Sequence, residues 1–328
     1  MKKRAKIYTI MLLSLILLSA CGTQAGETEQ GELQILRLPM GYIPNIQQAP
    51  LYVAVEKGYF AEAGIALDFD YSFETDGVAL VGSNEVQFAL VSGEQVLLAR
   101  AQGIPVVYIL GWYQHYPVAV VAKQESGIET LEDLRGKTVG LPGLFGANYI
   151  GLEALLEAAD IPESELTLES VGYNQVEALA SDQVDAVSVY ENNEPIQLRA
   201  QGYDINVIPV SDYLQLASNG VITNATMIAE NPDLVRRFLG AFMRGIEDTI
   251  ADPDEAFELS KPYIEGLEEN AAVQKQVLAK TIEYWQVDAL GYSNPQAWEN
   301  MQDVLLNMGL LSAPLDLDAA YTNEFIAE

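Results

Sequence analysis

The chain is short of the groups that most enzyme chemistry requires. Among 328 residues there is one cysteine, Cys21, and one histidine, His115. A lone cysteine excludes an intramolecular disulfide. One histidine, with no H-E-x-x-H and no G-x-S-x-G, removes zinc hydrolases of the common pattern and most triad chemistry. Basic residues are also scarce, with 17 Lys and Arg against 47 Asp and Glu and a formal net charge of -30. Phosphate recognition needs clustered Lys and Arg, so nucleic acid is not expected as a partner. The same field repels anionic ligands at long range unless a local cationic pocket overrides it, and neutral or weakly charged small molecules fit better. No apolar run reaches the roughly 20 residues that a membrane-spanning helix needs. Carboxylate-pair chemistry stays open on composition alone, although nothing in the spacing places two acids together.

The first 32 residues carry a signal of their own. Lys2, Lys3, Arg4 and Lys6 form a basic head, an apolar run covers 7–18, and Leu18-Ser19-Ala20-Cys21 closes it. Residues 1–20 read as a secretory signal peptide. Cys21, one step after a small residue, is placed for acylation, and the segment resembles a bacterial lipoprotein lipobox. Residues 21–32 have no large apolar side chain and form a disordered tether, with a reach of about 18 Å as a flexible coil. Removing 1–20 takes away four of the 17 basic residues and none of the 47 acids, leaving 13 minus 47, or −34, on the exported body.

Beyond the tether, 49% hydrophobic content supports one large core or two medium ones. Short apolar strands at 35–40, 67–71, 88–91 and 106–110 alternate with helical patterns at 49–57 and 93–102. The alternation resumes with strands at 118–122, 138–141, 166–171, 186–189 and 206–210 and helices at 149–159, 174–180 and 194–200. Such alternation predicts an α/β fold with parallel-rich sheets flanked by helices. After about Thr223 helices take over, the first starting at Pro232 with an apolar stripe of Val235, Phe238, Leu239, Phe242, Met243 and Ile246. Further helices are expected at 255–263, 272–285 and 296–308.

The segment 42–64, with Pro44-Asn45, Leu51-Tyr52-Val53-Ala54 and Lys57-Gly58-Tyr59-Phe60, resembles the opening of the THI5-like and sulfonate-type solute-binding proteins of ABC importers. Phe88-Ala89-Leu90-Val91-Ser92-Gly93, Leu131-Glu132-Asp133-Leu134-Arg135-Gly136-Lys137 and Asn231-Pro232-Asp233-Leu234-Val235 extend that resemblance over most of 33–250. It implies a two-lobed periplasmic-binding-protein fold of type II with a two-stranded hinge. One lobe would be 33–117 plus 223–328 and the other 118–222. It also implies a monomer outside the cytoplasm, held at the membrane by its lipid and delivering ligand to a permease and its ATPase.

In such a fold ligand sits at the carboxyl ends of the strands. That rule directs attention to Tyr42, Asn45, Gln47 and Gln48 after the first strand, Ser92, Glu94 and Gln95 after the third, and Trp112, Tyr113, Gln114, His115 and Tyr116 after the fourth. In the other half it selects Gly143, Phe145, Asn148 and Tyr149, then Tyr173, Asn174 and Gln175, then Tyr190, Asn193 and Glu194. From these, Tyr42, Asn45, Gln48, Gln95, Trp112, Tyr113, Gln114, Phe145, Asn148, Tyr173, Asn174, Tyr190, Asn193 and Glu194 are taken as ligand contacts. The set is aromatic and amide: rings stack on flat heterocycles, while Asn and Gln offer donors and acceptors to ring nitrogens and carbonyls. Tyr52, Tyr59 and Phe60 read as core, His115 as a structural hydrogen-bonding residue, and the glycine-rich run 140–146 as a strand-to-helix turn. Gly136-Lys137-Thr138 is no phosphate loop, because Leu131 stands where that motif needs glycine.

Eukaryotic relatives in the resemblance are pyrimidine synthases that use an active-site histidine and pyridoxal phosphate. Their P-N-x-N-H-x-G aligns with 44–50 here, where Gln48 replaces the histidine. No catalytic residue, cofactor or metal is therefore expected. The altered motif also suggests an altered heterocycle. The chain resembles the riboflavin-binding branch of these proteins, which makes riboflavin the favoured ligand, a thiamine-precursor pyrimidine the second and an aliphatic sulfonate the third. A secreted enzyme and a sensing receptor without a permease are the competing classes.

Overall fold

The computed structural model describes residues 32–286 and 289–326, and residues 33–328 form one compact unit. The signal peptide, Cys21 and nearly all of the tether lie outside the described residues. Among those described, no helix is long and apolar enough to cross a membrane.

The first half runs β1 (Gln34–Gly41), α1 (Ala49–Glu56), α2 (Tyr59–Glu62), β2 (Ile65–Phe73), α3 (Glu74–Gly82), β3 (Ala89–Val91), α4 (Gly93–Ala101) and β4 (Val106–Gly111). The middle contains β5 (Val118–Lys123), β6 (Thr138–Leu141), α5 (Gly146–Ala158), β7 (Thr167–Ser170), α6 (Gln175–Ala180), β8 (Ala186–Tyr190), α7 (Glu194–Ala200) and β9 (Ile205–Pro209). The chain then returns through β10 (Gly220–Asn224) and ends in α8 (Ala225–Glu230), α9 (Pro232–Ala251), α10 (Pro253–Ser260), α11 (Ala271–Trp285) and α12 (Pro295–Asn307).

Strand order shows the same plan twice. The middle sheet is ordered β7-β6-β8-β5-β9. In the other half β2 pairs with β1, β1 packs alongside β3, and β3-β10-β4 form a ladder, giving β2-β1-β3-β10-β4. In each set the fourth strand, β5 or β10, is the one arriving from the other half, and it runs antiparallel to both neighbours. β1 with β2 and β6 with β7 and β8 are parallel. The chain therefore crosses between the sheets twice, through 112–117 and 210–219.

Local chemistry explains the helical tail. Asn231, Asp252 and Asn294 each accept a backbone N–H at the head of α9, α10 and α12, and a proline follows at the first position of each helix. In α9 the buried Leu234, Val235, Phe238, Leu239, Phe242 and Ile246 repeat at helical spacing. They fill a core with α1, β1 and Trp285, where Phe238 stacks on Phe88 with ring centroids 4.1 Å apart. A second core joins α4, α5 and α12 through Val96, Leu152, Trp298 and Met301, so side chains of both sheets share one apolar mass.

β10 and α3 were not among the expected elements, and α5 begins three residues before the helix expected at 149–159.

Candidate functional site

The parallel strands all present their carboxyl ends to one cleft, and a cavity of about 1030 Å³, solvent at its mouth included, opens there. Tyr42 enters it from the end of β1, and Gln47 and Gln48 from the turn that follows. Asn45 sets that turn, since its Oδ1 accepts Gln47 N at 3.0 Å and its own N–H donates to Gln48 Oε1 at 3.3 Å. Gln48 Oε1 also accepts the Tyr52 hydroxyl at 2.8 Å, which leaves its amide nitrogen for a ligand. Trp112 and Tyr113 close the floor. Their backbone N–H groups donate to Asn219 O at 3.0 and 2.9 Å, locking the end of β4 to the start of β10.

The opposite wall comes from the middle sheet. Phe145 and Asn148 lie at the head of α5, Tyr173 precedes α6, and Tyr190, Asn193 and Glu194 lead from β8 into α7. Asn148 is fixed by reciprocal bonds with Ser188, donating from Nδ2 to its carbonyl at 2.8 Å and accepting its hydroxyl at 2.9 Å. Two aromatic pairs meet across the mouth: Tyr42 with Tyr173 edge-on at 4.9 Å, and Phe73 with Phe145 edge-on at 6.4 Å. Phe73, Phe145 and Tyr173 are 53%, 55% and 38% exposed.

The electrostatics are acidic without compensation. No Lys, Arg or His lines the cavity among the described residues, while Glu74 and Glu194 do. Burial pushes the Glu194 carboxyl up to about 7, against the backbone N–H groups of Tyr190 and Glu194 and the Asn193 amide that hold it down. Burial, and then the neighbouring Glu94, push Glu74 up to about 8. Both are thus poised near neutrality, where a carboxyl can donate as well as accept. No group of three or more His, Cys, Asp or Glu able to hold a metal ion occurs among the described residues.

Of the fourteen residues taken from the sequence as ligand contacts, Tyr42, Gln48, Gln95, Trp112, Tyr113, Phe145, Asn148, Tyr173, Tyr190, Asn193 and Glu194 are brought together around this cavity, where Gln47 and Gln175 join them. Three others lie outside its lining. Asn45 is spent capping the turn, Gln114 donates to Gly111 O at 2.6 Å, and Asn174 donates to Val171 O at 3.2 Å from an exposed position. His115 is exposed beside Tyr284, and Tyr52 is fully buried. The readings missed Glu74 and Asn219. Glu74 follows β2, whose end lies at Phe73, two residues beyond the strand read at 67–71, so the strand-end rule would have found it. Asn219 precedes β10, which had not been recognised.

A family model described as NMT1/THI5 like matches residues 45–256. The chain belongs to the NMT1/THI5-like family. Among relatives of this NMT1/THI5-like chain, the riboflavin-binding protein RibY of Chloroflexus aurantiacus is 40% identical, the match covering 98% of each chain. The formylaminopyrimidine-binding protein of Halalkalibacterium halodurans is 27% identical over 95% of this chain and 97% of its own. The periplasmic aliphatic sulphonate binding protein SsuA of Escherichia coli superposes with a TM-score of 0.71 at 14% identity, over 89% of this chain and 99% of that one. A periplasmic-binding-protein-like fold, mixed α/β with parallel-rich sheets, is thereby shown.

Proposed function

We propose that this protein is the solute-binding component of an ABC importer and captures riboflavin between two lobes, 33–117 plus 223–328 and 118–222. One observation carries the reading: a cavity walled by aromatic rings and amides, with no basic side chain among the described lining residues. Tyr42, Phe145, Tyr173 and Tyr190 offer faces and edges to a three-ring system, and Asn148, Asn193 and Gln48 offer polar contacts to ring carbonyls and a hydroxylated chain. Similarity at 40% identity over nearly the whole chain to a protein named for riboflavin binding supports the same ligand. A sulfonate would want a basic group that this lining lacks. Turnover is not expected, since Gln48 stands at the reacting histidine of the family's synthases and is tied to Tyr52. Cys21 would carry the lipid, and residues 21–32 would hold the body outside the cytoplasm within reach of a permease and its ATPase.

Titration of the purified protein with riboflavin should quench flavin emission and raise the melting temperature. A thiamine-precursor pyrimidine is the second reading, supported by the formylaminopyrimidine-binding relative. A thermal shift with that pyrimidine and none with riboflavin at tens of micromolar would reverse the order. Trp112 is a poor probe by truncation, because it is 4% exposed and packed on Phe242 and Trp285, so Trp112→Ala would unsettle the core.

Tyr173 tests the wall more cleanly. Its ring is 38% exposed and rests on Tyr42. If a flat ligand ring stacks there, Tyr173→Ala should cost about 1 to 3 kcal/mol, roughly 5- to 150-fold in Kd. The melting temperature of the free protein should stay unchanged; a wild-type Kd in the variant would move the ligand elsewhere.

A further inference from the structure

We propose that Glu94, Ser92 and Glu74 form a directional proton relay, ending in the Glu74 carboxyl, which donates a hydrogen bond to an acceptor atom of the bound ligand. Its starting point is a count of protons. Ser92 Oγ, wholly buried at the head of α4, lies 2.5 Å from Glu74 Oε2 and is also bonded to Glu94 Oε1. One hydroxyl carries one proton and donates to one of these oxygens. The other contact then needs a proton from a carboxyl.

Surroundings decide which carboxyl that is. Glu94 is fully enclosed, its Oε2 has no hydrogen-bond partner, and besides Ser92 its Oε1 meets only the Gln95 amide, at a long 3.3 Å. A bare carboxylate there would be an unpaired buried charge, which costs far more than a neutral acid. The elements packed against α3 and α4 offer no free cation: Arg37 on β1 is bound to Asp70, and Arg100 on α4 donates to Val106 O. Their remaining charges are acidic: Asp68 and Asp70 on β2, Asp76 on α3, Glu153 and Glu157 on α5, and Glu299 and Asp303 on α12, and the buried phenols of Tyr108 on β4 and of Tyr116 nearby add no positive charge. Across the cleft Glu74 faces the phenols of Tyr173 and Tyr190 and the carboxyl of Glu194. Glu94 therefore keeps its proton and donates to Ser92, and Ser92 donates to Glu74.

Glu74 lines the cavity, and its second oxygen, Oε1, meets only the Asn219 amide at a long 3.4 Å. Enclosure away from bulk water, with no cation in front, holds Glu74 neutral too, against the Ser92 hydroxyl and the Asn219 amide that favour its charged form, so its proton points outward along the chain of donations. The ligand must bring an acceptor to that place, a carbonyl oxygen or an unprotonated ring nitrogen. This step rests on the riboflavin reading, whose ring system carries both.

Riboflavin Kd is to be measured from pH 6 to 9 for the wild type, Glu74→Gln and Glu94→Gln. Wild-type affinity should be flat near pH 6 and weaken toward tenfold per pH unit as Glu74 ionises. Glu74→Gln retains an N–H donor at the same place, so it should bind within a few-fold of wild type at pH 6 and lose the alkaline slope. Calorimetry at pH 8.5 in two buffers of different ionisation enthalpy should show proton uptake on binding in the wild type and none in Glu74→Gln. A flat wild-type profile without proton uptake, or a slope that persists in Glu74→Gln, overturns the relay. The infrared carbonyl stretch of neutral carboxylic acids needs no ligand: it should be present at pH 7 and diminished in Glu94→Gln. Absence of riboflavin binding at every pH would defeat the reading of the ligand instead, and the infrared band would still decide the relay, an unchanged band counting against it.

Discussion

Gly245→Ala is expected to destabilise the protein by about 3 kcal/mol, the upper end of what overpacking costs, and to lower its melting temperature by about 5 °C. The cause is the closest helix contact in the first core. A Cβ added at Gly245 in α9 would lie 2.1 Å from the carbonyl oxygen of Pro50 and 2.9 Å from Ala54 Cβ, both on α1. A carbonyl cannot rotate away as a flexible side chain can, so α1 itself must move. That helix starts directly after Gln48, and its displacement carries the Gln47–Gln48 turn with it. Riboflavin affinity should therefore fall along with stability. Gly240, five residues earlier on the same helix, is the control: it is exposed with nothing within 4 Å of its missing Cβ. Gly240→Ala removes the entropic cost of glycine in a helix and should stabilise by about 1 kcal/mol. Calorimetric melting of both variants checks the pair, and wild-type melting of Gly245→Ala would show that the helices have room to part.

The same demand for close packing explains where the sequence misled. Residues 74–82 form α3, yet Gly77 and Gly82 within nine residues argue against a helix. Gly82 is required because a Cβ there would fall 2.3 Å from Ile104 Cγ2, so tertiary packing overrode propensity. Losing α3 also lost Glu74, its first residue. β10 was hidden differently: five residues bracketed by asparagines, buried between β3 and β4, give neither an alternating pattern nor a long apolar run. By contrast, β6 and α7 came out at their observed bounds, since short β-branched runs and a helix led by Glu194-Pro195 are signals that burial reinforces.

The candidate site was legible to the extent that it follows from topology. Residues just past the ends of parallel strands reach the cleft whatever their neighbours do, and this placed Tyr42, Trp112, Phe145, Tyr173 and Tyr190 around it. Asn45, Gln114 and Asn174 obey the same rule and still turn away, because short amides bond readily to nearby backbone and are consumed there. No one-dimensional pattern distinguishes an amide spent on its own turn from one left for a ligand. Nor does it show that three carboxyls, from Glu74, Glu94 and Glu194, are drawn away from bulk water.

Those carboxyls make stability fall with rising pH. Each has its ionisation pushed up in the folded protein, Glu74 to about 8 and Glu194 to about 7, from the ordinary value of 4.5 for Glu74, Glu94 and Glu194 alike. Burial is the leading cause at all three. Between the unfolded and folded values the folded chain holds more protons, so the stabilising difference is whole below about pH 4.5 and is lost as pH climbs to about 8. Each carboxyl contributes on the order of 1 kcal/mol per pH unit while it titrates, several kcal/mol together. Glu153 on α5 is raised likewise, to about 8, by burial and the neighbouring Glu163, whereas Asp133, Asp248 and Glu268 are shifted the other way, by hydrogen bonds from Thr130, Tyr59 and Lys261 respectively, and act only in the more acidic range. The melting temperature should accordingly peak near pH 5 and decline through pH 8, and Glu74→Gln and Glu194→Gln should each flatten the decline and melt higher than wild type at pH 8. A melting temperature that holds level or climbs between pH 5 and 8 would mean that the cleft admits enough water to ionise its acids freely. A ligand that accepts the Glu74 proton opposes the same ionisation, so the gain in melting temperature on adding riboflavin should be larger at pH 7 than at pH 9.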